Sequence, residues 1–384
     1  MRRDAAVFGN RSSLGALLVM TVAAALLMTC LVPWAGAATV DVIDAKFPSA
    51  RDGAAAVWDG SNAYLFGGRD GSTYYDQIFR FNTSAGTLTA MSAKLPGNRC
   101  YASGVWTGTA IYLFGGREAK SFYNQILRYA PANDTISVMN ATLPSGRDAT
   151  SAVWDGTSAY IFGGLSNGNY LDEIVRYDPA FDTATLLTST LPGGRYATSA
   201  VWDGTCVYVF GGRKDDSFYN QIVSFEPGTG AVKLAGASLP TGRDVTCAAW
   251  DGSSAYIFGG YDGVGASAEI VRFTPGNGSV TPLDGRLPSG RFGASAIWDG
   301  TNAYVFGGND QSKSTDRIVQ CNVRAMVPGE PYVTQSKVPY TLVIVIVLVC
   351  VVIIAFLVWR RRRKKKAKLQ AQPIPKPSDG AMKK

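Results

Sequence analysis

Apolar residues along this chain come in short bursts separated by glycine-rich or polar turns. The burst Ala159 to Phe162 ends on Gly163-Gly164, and another, Ala149 to Trp154, ends on Asp155-Gly156. Short apolar runs bounded by turn residues predict strands, and an Asp-Gly pair between two such runs predicts a hairpin. The bursts recur on a fixed step. Phe-Gly-Gly places its Phe at 66, 114, 162, 210, 258 and 306, a step of 48. The same step carries Trp from Trp58 to Trp298, Tyr from Tyr64 to Tyr304, Ile from Ile78 to Ile318 and Pro from Pro48 to Pro288. A constant period of this length means a repeat architecture.

One unit, opened by Leu143-Pro144-Ser145-Gly146-Arg147, predicts four strands. Strand a is Ala149 to Trp154, rich in Ala and Ser as a crowded innermost strand requires. Strand b is Ala159 to Phe162. Strand c lies near Glu173 to Tyr177 and is broken by Asp178-Pro179, and strand d lies near Thr183 to Thr188. Four strands per unit, each with Gly and aromatic marks, make a propeller blade.

The Gly-Gly doublet after a hydrophobic strand, the Asp or Asn two residues before the strand-c Ile (Asp76, Asn124, Asp172, Asn220, Asp316) and the Arg opening strand a together resemble kelch repeats, over about 290 residues and all six units. The resemblance implies an all-β, six-bladed β-propeller. Two features depart from the kelch pattern. The Trp usual late in the repeat is replaced by residues such as Leu186, with the Trp before Asp-Gly supplying the bulk, and Ala268 stands where the other units carry Asp or Asn.

The sixth unit stops near Val323, after strand c. Thr39 to Phe47 precedes Pro48 as strand d precedes the later prolines, so the N-terminal strand is expected to complete blade six and close the ring. If strand a runs from face X to face Y, the Leu-Pro-x-x-Arg loops and the b–c loops share face X. The Trp-Asp-Gly turns and the c–d turns share face Y.

Outside the repeats the chain reads as membrane-directed. Residues 338–359 carry no charge and are long enough to span a bilayer as a helix. Arg360 to Lys366 follow at once, which places the tail of residues 360–384 on the cytoplasmic side of a single-pass type I protein. Residues 1–37 read as a signal peptide, with Ala35-Gly36-Ala37 as the cleavage signature and an uncleaved anchor as the alternative. Residues 38–323 form the propeller and 324–337 a linker. Asn82, Asn133, Asn140 and Asn277 begin N-glycosylation sequons.

The net charge of +8 changes meaning once divided. Residues 360–384 carry +10 and residues 1–37 carry +2, which leaves residues 38–337 at −4. A basic surface for nucleic acid is therefore not expected. The absence of histidine excludes Ser-His-Asp and Cys-His catalysis and a histidine-ligated copper centre of the galactose-oxidase type. No metal or other cofactor is expected. Cys100, Cys206, Cys247 and Cys321 sit at unrelated points of the repeat and read as free thiols, with one bridge as the alternative.

The sharpest candidate chemistry is the arginine opening each strand a: Arg51, Arg99, Arg147, Arg195, Arg243 and Arg291. In some six-bladed kelch adaptors, arginines at this position line the pocket that takes acidic peptides. The resemblance implies a ligand-binding ring here, with Asp52, Asp148 and Asp244 interspersed and a local charge of +3. The alternative is that each Arg ties its own loop to backbone carbonyls. The b–c loops differ between units (Arg69-Asp70, Arg117-Glu118, Leu165, Arg213 to Asp216, Tyr261-Asp262, Asn309-Asp310), as binding loops on a rigid scaffold do. The favoured reading is a cell-surface module binding a protein or anionic carbohydrate on the face away from the membrane. A mutarotase or epimerase of the secreted kelch type, using Glu118, and a structural or adhesion component are the alternatives.

Overall fold

The computed structural model describes residues 40–329 together with Trp359, Arg360 and Arg363. Residues 40–329 form six four-stranded antiparallel sheets, the blades of a closed propeller. In blade one, strand a is Ala55–Trp58, b Asn62–Phe66, c Gln77–Asn82 and d Thr87–Lys94. In blade three the strands are Ser151–Trp154, Ala159–Phe162, Glu173–Asp178 and Thr183–Thr190. The period and the strand order therefore hold. Strand a is shorter at its start than the sequence suggests, because residue 149 turns into the left-handed region.

Closure is as expected. Blade six consists of Ser295–Trp298, Ala303–Phe306, Arg317–Cys321 and the N-terminal strand Val40–Lys46. Val40 lies opposite Cys321 and Val42 opposite Val319. Phe47, at the end of this strand, is fully buried and meets Phe79 of blade one edge to face, with centroids 5.7 Å apart. An outer edge that would be left open in the last blade is thus paired.

The core consists of clusters between neighbouring blades. Strand b is buried over all or nearly all of its length, completely so in Ile111–Phe114, and pairs with strand c residues such as Ile126 and Leu127. Each such side chain contributes about 1.5–3 kcal/mol on burial. The six Trp residues of the repeat pack at the edges of these clusters, one per junction. Leu186 is half exposed on an outer strand, so the bulk of the usual late Trp is supplied elsewhere.

Two features lie beyond the sequence reading. The b–c loops of blades one to four fold into small hairpins, for example Arg69–Asp70 against Thr73–Tyr74. Two-residue strands are too short to leave a hydrophobic period. The start of the expected linker also belongs to the propeller. Val323–Ala325 forms a 3₁₀ turn, Met326 is buried, and Val327 to Gly329 hydrogen-bond alongside Pro282 to Asp284 of blade five. The expected signal peptide (1–37), the remainder of the linker (330–337), the membrane helix (338–359, Trp359 apart) and most of the basic tail lie outside the described residues. Among the described residues no helix is long and apolar enough to cross a membrane. Trp359, Arg360 and Arg363 are helical, and the Arg363 guanidinium lies 4.6 Å from the Trp359 ring centroid.

Candidate ligand-binding site at the channel mouth

The arginines that open strand a are not at the channel mouth. Arg51, Arg99, Arg147, Arg195, Arg243 and Arg291 are all at most 2% exposed. Arg51 donates from Nη1 to the Gly67 carbonyl at 3.1 Å and from Nη2 to Gln77 Oε1 at 3.0 Å. Arg99 repeats this with Gly115 and Gln125, and Arg195 with Gly211 and Gln221. In blades three and five a carboxylate replaces the amide: Arg147 meets Glu173 at 2.6 Å and Arg243 meets Glu269 at 2.5 Å. The guanidinium groups of Arg51, Arg99 and Arg195 also lie over Tyr75, Tyr123 and Tyr219 at 4.3–4.5 Å. Burial lowers Arg51 and Arg99 to about 10, which leaves them charged at neutral pH.

The backbone of the same residues joins the blades. The second Gly of each doublet donates its N–H to the carbonyl of the next blade's arginine, from Gly68 to Arg99 round to Gly308 and Arg51. A Cβ on Gly67 would stand 2.1 Å from the Arg99 carbonyl oxygen, so this contact requires glycine. The Arg and Gly-Gly marks of the repeat are one blade-to-blade joint, used six times. Loop tying, the alternative reading of the sequence, describes these arginines, and the expected local charge of +3 does not arise from them.

Two residues further on, the chain reaches the axis. Gly53, Tyr101, Ala149, Ala197, Val245 and Gly293 all have φ between +50° and +65°. Each donates its N–H to the carbonyl of its counterpart in the preceding blade, at 2.7–3.0 Å, from Gly53 and Gly293 round to Gly293 and Val245. Six hydrogen bonds thus close a ring around the channel. Below it lies a narrow waist of strand-a Ala, Ser and Thr, partly bridged by Ser103–Thr150, Ser151–Thr198 and Ser199–Thr246 hydroxyl pairs.

Above the ring, on face X, a cavity of about 400 Å³ opens to solvent. Its walls combine residues after the buried arginines (Tyr101, Asp148, Tyr196, Asp244, Phe292) with b–c loop residues (Arg69, Arg117, Leu165, Arg213, Tyr261). The face assignment made from connectivity therefore holds. Arg69 pairs with Asp52 at 3.2 Å, Arg117 with Asp148 at 2.9 Å and Arg213 with Asp244 at 3.2 Å. The latter two pairs bridge adjacent blades. Tyr101 donates to Asp52 at 2.6 Å, and the Arg69 guanidinium lies 5.4 Å from its ring. Arg213 hydrogen-bonds to the Tyr196 hydroxyl and lies over that ring and over Phe218. The three arginines are about a quarter exposed, whereas their aspartates are buried. The pairing brings the mouth close to formal neutrality with its cationic groups outermost.

Oδ1 of Asp148 and Oδ1 of Asp244 are buried without a hydrogen-bond partner among the described residues. Burial pushes both carboxyls up to about 6, against the pull of Arg117 and Arg213. Burial likewise pushes the Cys100 thiol up to about 12. Glu118, the residue a mutarotase reading relied on, is engaged elsewhere: Asn98 donates to it at 2.8 Å and Tyr123 at 3.3 Å. The sequence reading marked the variable b–c loops but missed Tyr101. Its signal is a bulky residue at a position held by Gly, Ala or Val in the other five units.

The other marked residues have structural work. Asp59, Asp155, Asp203, Asp251 and Asp299 each accept two backbone N–H bonds within their own turn, whereas the Thr107 hydroxyl accepts one, from Ala110, and donates to the Ala110 carbonyl. Cys100, Cys206, Cys247 and Cys321 are free thiols, all but Cys206 buried. No group of residues able to hold a metal occurs among the described residues.

Repeat, blade topology and closure define a six-bladed Kelch propeller, a class whose members generally mediate protein binding. The KLHDC2/KLHL20/DRC7 Kelch-repeats domain matches residues 37–188, 90–231 and 183–327, and the chain belongs to that family. No curated protein matches the chain.

Proposed function

We propose that this Kelch propeller is a cell-surface interaction module that takes an anionic ligand, an acidic peptide or a carboxylated sugar, at the face X mouth. The observation carrying this reading is the cavity flanked by Arg69, Arg117 and Arg213, three cations held by buried carboxylates and tyrosine rings with part of each side chain exposed. A guanidinium fixed in this way presents its remaining N–H groups to a carboxylate at little further entropic cost. The aromatic walls supply apolar contact around the charged groups. The surface placement rests on the sequence alone: the apolar run 338–359, its basic flank and the N-terminal 1–37 segment. The sequons at Asn82, Asn133, Asn140 and Asn277 fit it, and the last three asparagines are exposed.

The Asp148 and Asp244 carboxyls support a second reading, a sugar mutarotase or epimerase, since a carboxyl held at about 6 beside an arginine is placed for proton transfer. One experiment tests both. The full-length protein in detergent is titrated with hexaglutamate and with glucuronic acid, and sugar anomers are followed by NMR. We expect saturable binding that weakens with salt. Arg117→Ala and Arg213→Ala should each lower affinity by about 2 kcal/mol, the range of a charge-assisted hydrogen bond. Unchanged binding in folded variants overturns the site. Anomeric exchange accelerated by the protein and lost in Asp148→Asn selects the enzyme.

A further inference from the structure

We propose that face Y carries a second site, a seat for an arginine side chain of a partner protein in the groove between blades one and two. The chain itself shows the chemistry of such a seat. At the junction of blades five and six, Arg324 donates from Nε to Asp251 Oδ2 at 3.2 Å and from Nη2 to the Asp251 carbonyl at 2.8 Å. Its guanidinium carbon lies 4.8 Å from the centre of the Trp298 ring. Tyr256 closes the seat by donating to the same carboxylate oxygen at 3.3 Å. The seat is thus the turn Asp of one blade, the Tyr behind it and the Trp of the next blade.

Four repeats earlier the same set is Asp59, Tyr64 and Trp106. There the three residues line a cavity of about 480 Å³ with Pro131 and Ala132. Ala132 is the repeat position of Arg324, four steps of 48 away. The wall, carboxylate and indole are kept, while the side chain that fills the seat at the sixth blade is reduced to a methyl group. Asp59 Oδ1 accepts the N–H groups of Ser61 and Asn62, as Asp251 Oδ1 accepts those of Ser253 and Ser254. Asp59 Oδ2 therefore corresponds to the oxygen that receives Arg324. A guanidinium suits the site better than an ammonium, because it can bond a carboxylate and a carbonyl in one plane while stacking on an indole. The following junction lacks the carboxylate, since Thr107 stands at the turn beside Trp154. It serves as an internal control.

The test follows indole N–H resonances of the full chain in detergent micelles, with Trp106 assigned through Trp106→Phe. The probes are N-acetyl-arginine amide, its uncharged isostere N-acetyl-citrulline amide, and N-acetyl-lysine amide. We expect a saturable shift at Trp106 with the arginine probe, none at Trp154, and at least tenfold weaker binding of the citrulline probe. Asp59→Asn should weaken the arginine probe tenfold or more, and Ala132→Arg should abolish its binding by filling the groove from within. Arg324→Ala should make Trp298 responsive. No saturable shift, equal binding of citrulline or lysine, or binding that survives Ala132→Arg overturns the assignment. If Ala132→Arg fails to fold, the Asp59→Asn and citrulline arms still decide it.

Discussion

Two sets of arginine lie at the face X end of the propeller, and they differ in how regularly they repeat. Arg51 and its five counterparts occur in every unit and are buried, their guanidinium groups engaged with backbone carbonyls, Gln or Glu. Arg69, Arg117 and Arg213 occur in three units, where the others carry Leu165, Tyr261 and Asn309, and they edge the mouth cavity. A joint between blades must be made six times in a closed ring, so the residue that makes it is present six times. A ligand is not six-fold symmetric, so the residues that meet it need not be. Among the arginines of face X, complete repetition marks the scaffold and broken repetition marks the site.

Removing one arginine of each kind should have unequal effects on stability. Arg243→Ala leaves the Glu269 carboxylate, itself buried, with Arg286 at 3.3 Å as its remaining ion-pair partner among the described residues. Breaking a buried pair from one side costs about 3–5 kcal/mol, so thermal unfolding of Arg243→Ala should come well below wild type. Arg213→Ala also leaves a buried carboxyl, that of Asp244, but one that stands at about 6 and can take up a proton, so it should cost less, on the order of 1–2 kcal/mol. If the two variants unfold together, the distinction between scaffold and site arginines fails.

The fold was legible because its signals are of the repeated kind. Six copies of Trp, Phe-Gly-Gly and Pro fix period, blade and closure even where one copy deviates, as at Ala268. The site was misread through the resemblance instead. Arg51 and its counterparts looked functional because arginines at this position line the pocket in some six-bladed kelch adaptors, although their presence in every unit was the sign of a joint. Their depth in the blade wall depends on where the Gly-Gly carbonyls and the strand-c Gln or Glu fall in three dimensions, 16 and 26 residues away. The clasp of Val323 to Gly329 on blade five was illegible for the opposite reason. It occurs once, and its contacts are largely to backbone, so no pattern announces it.

A smaller effect sharpens the electrostatics of the mouth. The Asp148 carboxyl stands at about 6 in the folded protein against an ordinary value near 3.8, and burial is the main cause. A raised carboxyl favours folding fully below about pH 4 and loses that contribution as pH rises through 6. Asp148→Asn, which cannot ionise, should therefore gain stability relative to wild type between pH 5 and 7.5. Two pKa units correspond to roughly 3 kcal/mol, a value that already includes the pull of Arg117, so the relative gain should reach on the order of 2–3 kcal/mol above pH 6. Unfolding midpoints of the two proteins across this range should diverge as pH rises. Parallel curves would mean that Arg117 holds the carboxylate ionised throughout.

The smallest effect concerns a position where both kinds of pattern meet. Residues 53, 101, 149, 197, 245 and 293 repeat a backbone conformation and a hydrogen bond, while their side chains vary from Gly to Tyr. Glycine adopts φ near +60° freely, but a β-branched residue does not, and Val245 sits at +50°. Holding it there costs on the order of 1–3 kcal/mol, sustained by N–H and carbonyl bonds to Ala197 and Gly293 on either side. Val245→Gly should release that strain, offset by roughly 1 kcal/mol of added freedom in the unfolded chain and by lost contact of the valine side chain at the mouth. The expected outcome is a change in stability within about 1 kcal/mol of zero, on the stabilising side, with the ring intact. The reverse substitution is not symmetric. A Cβ on Gly53 would stand 3.0 Å from the Tyr101 ring, so Gly53→Val should destabilise by more than Val245→Gly stabilises. Equal and opposite shifts in the two variants would show that the backbone, rather than the neighbour across the mouth, decides which side chain each blade carries there.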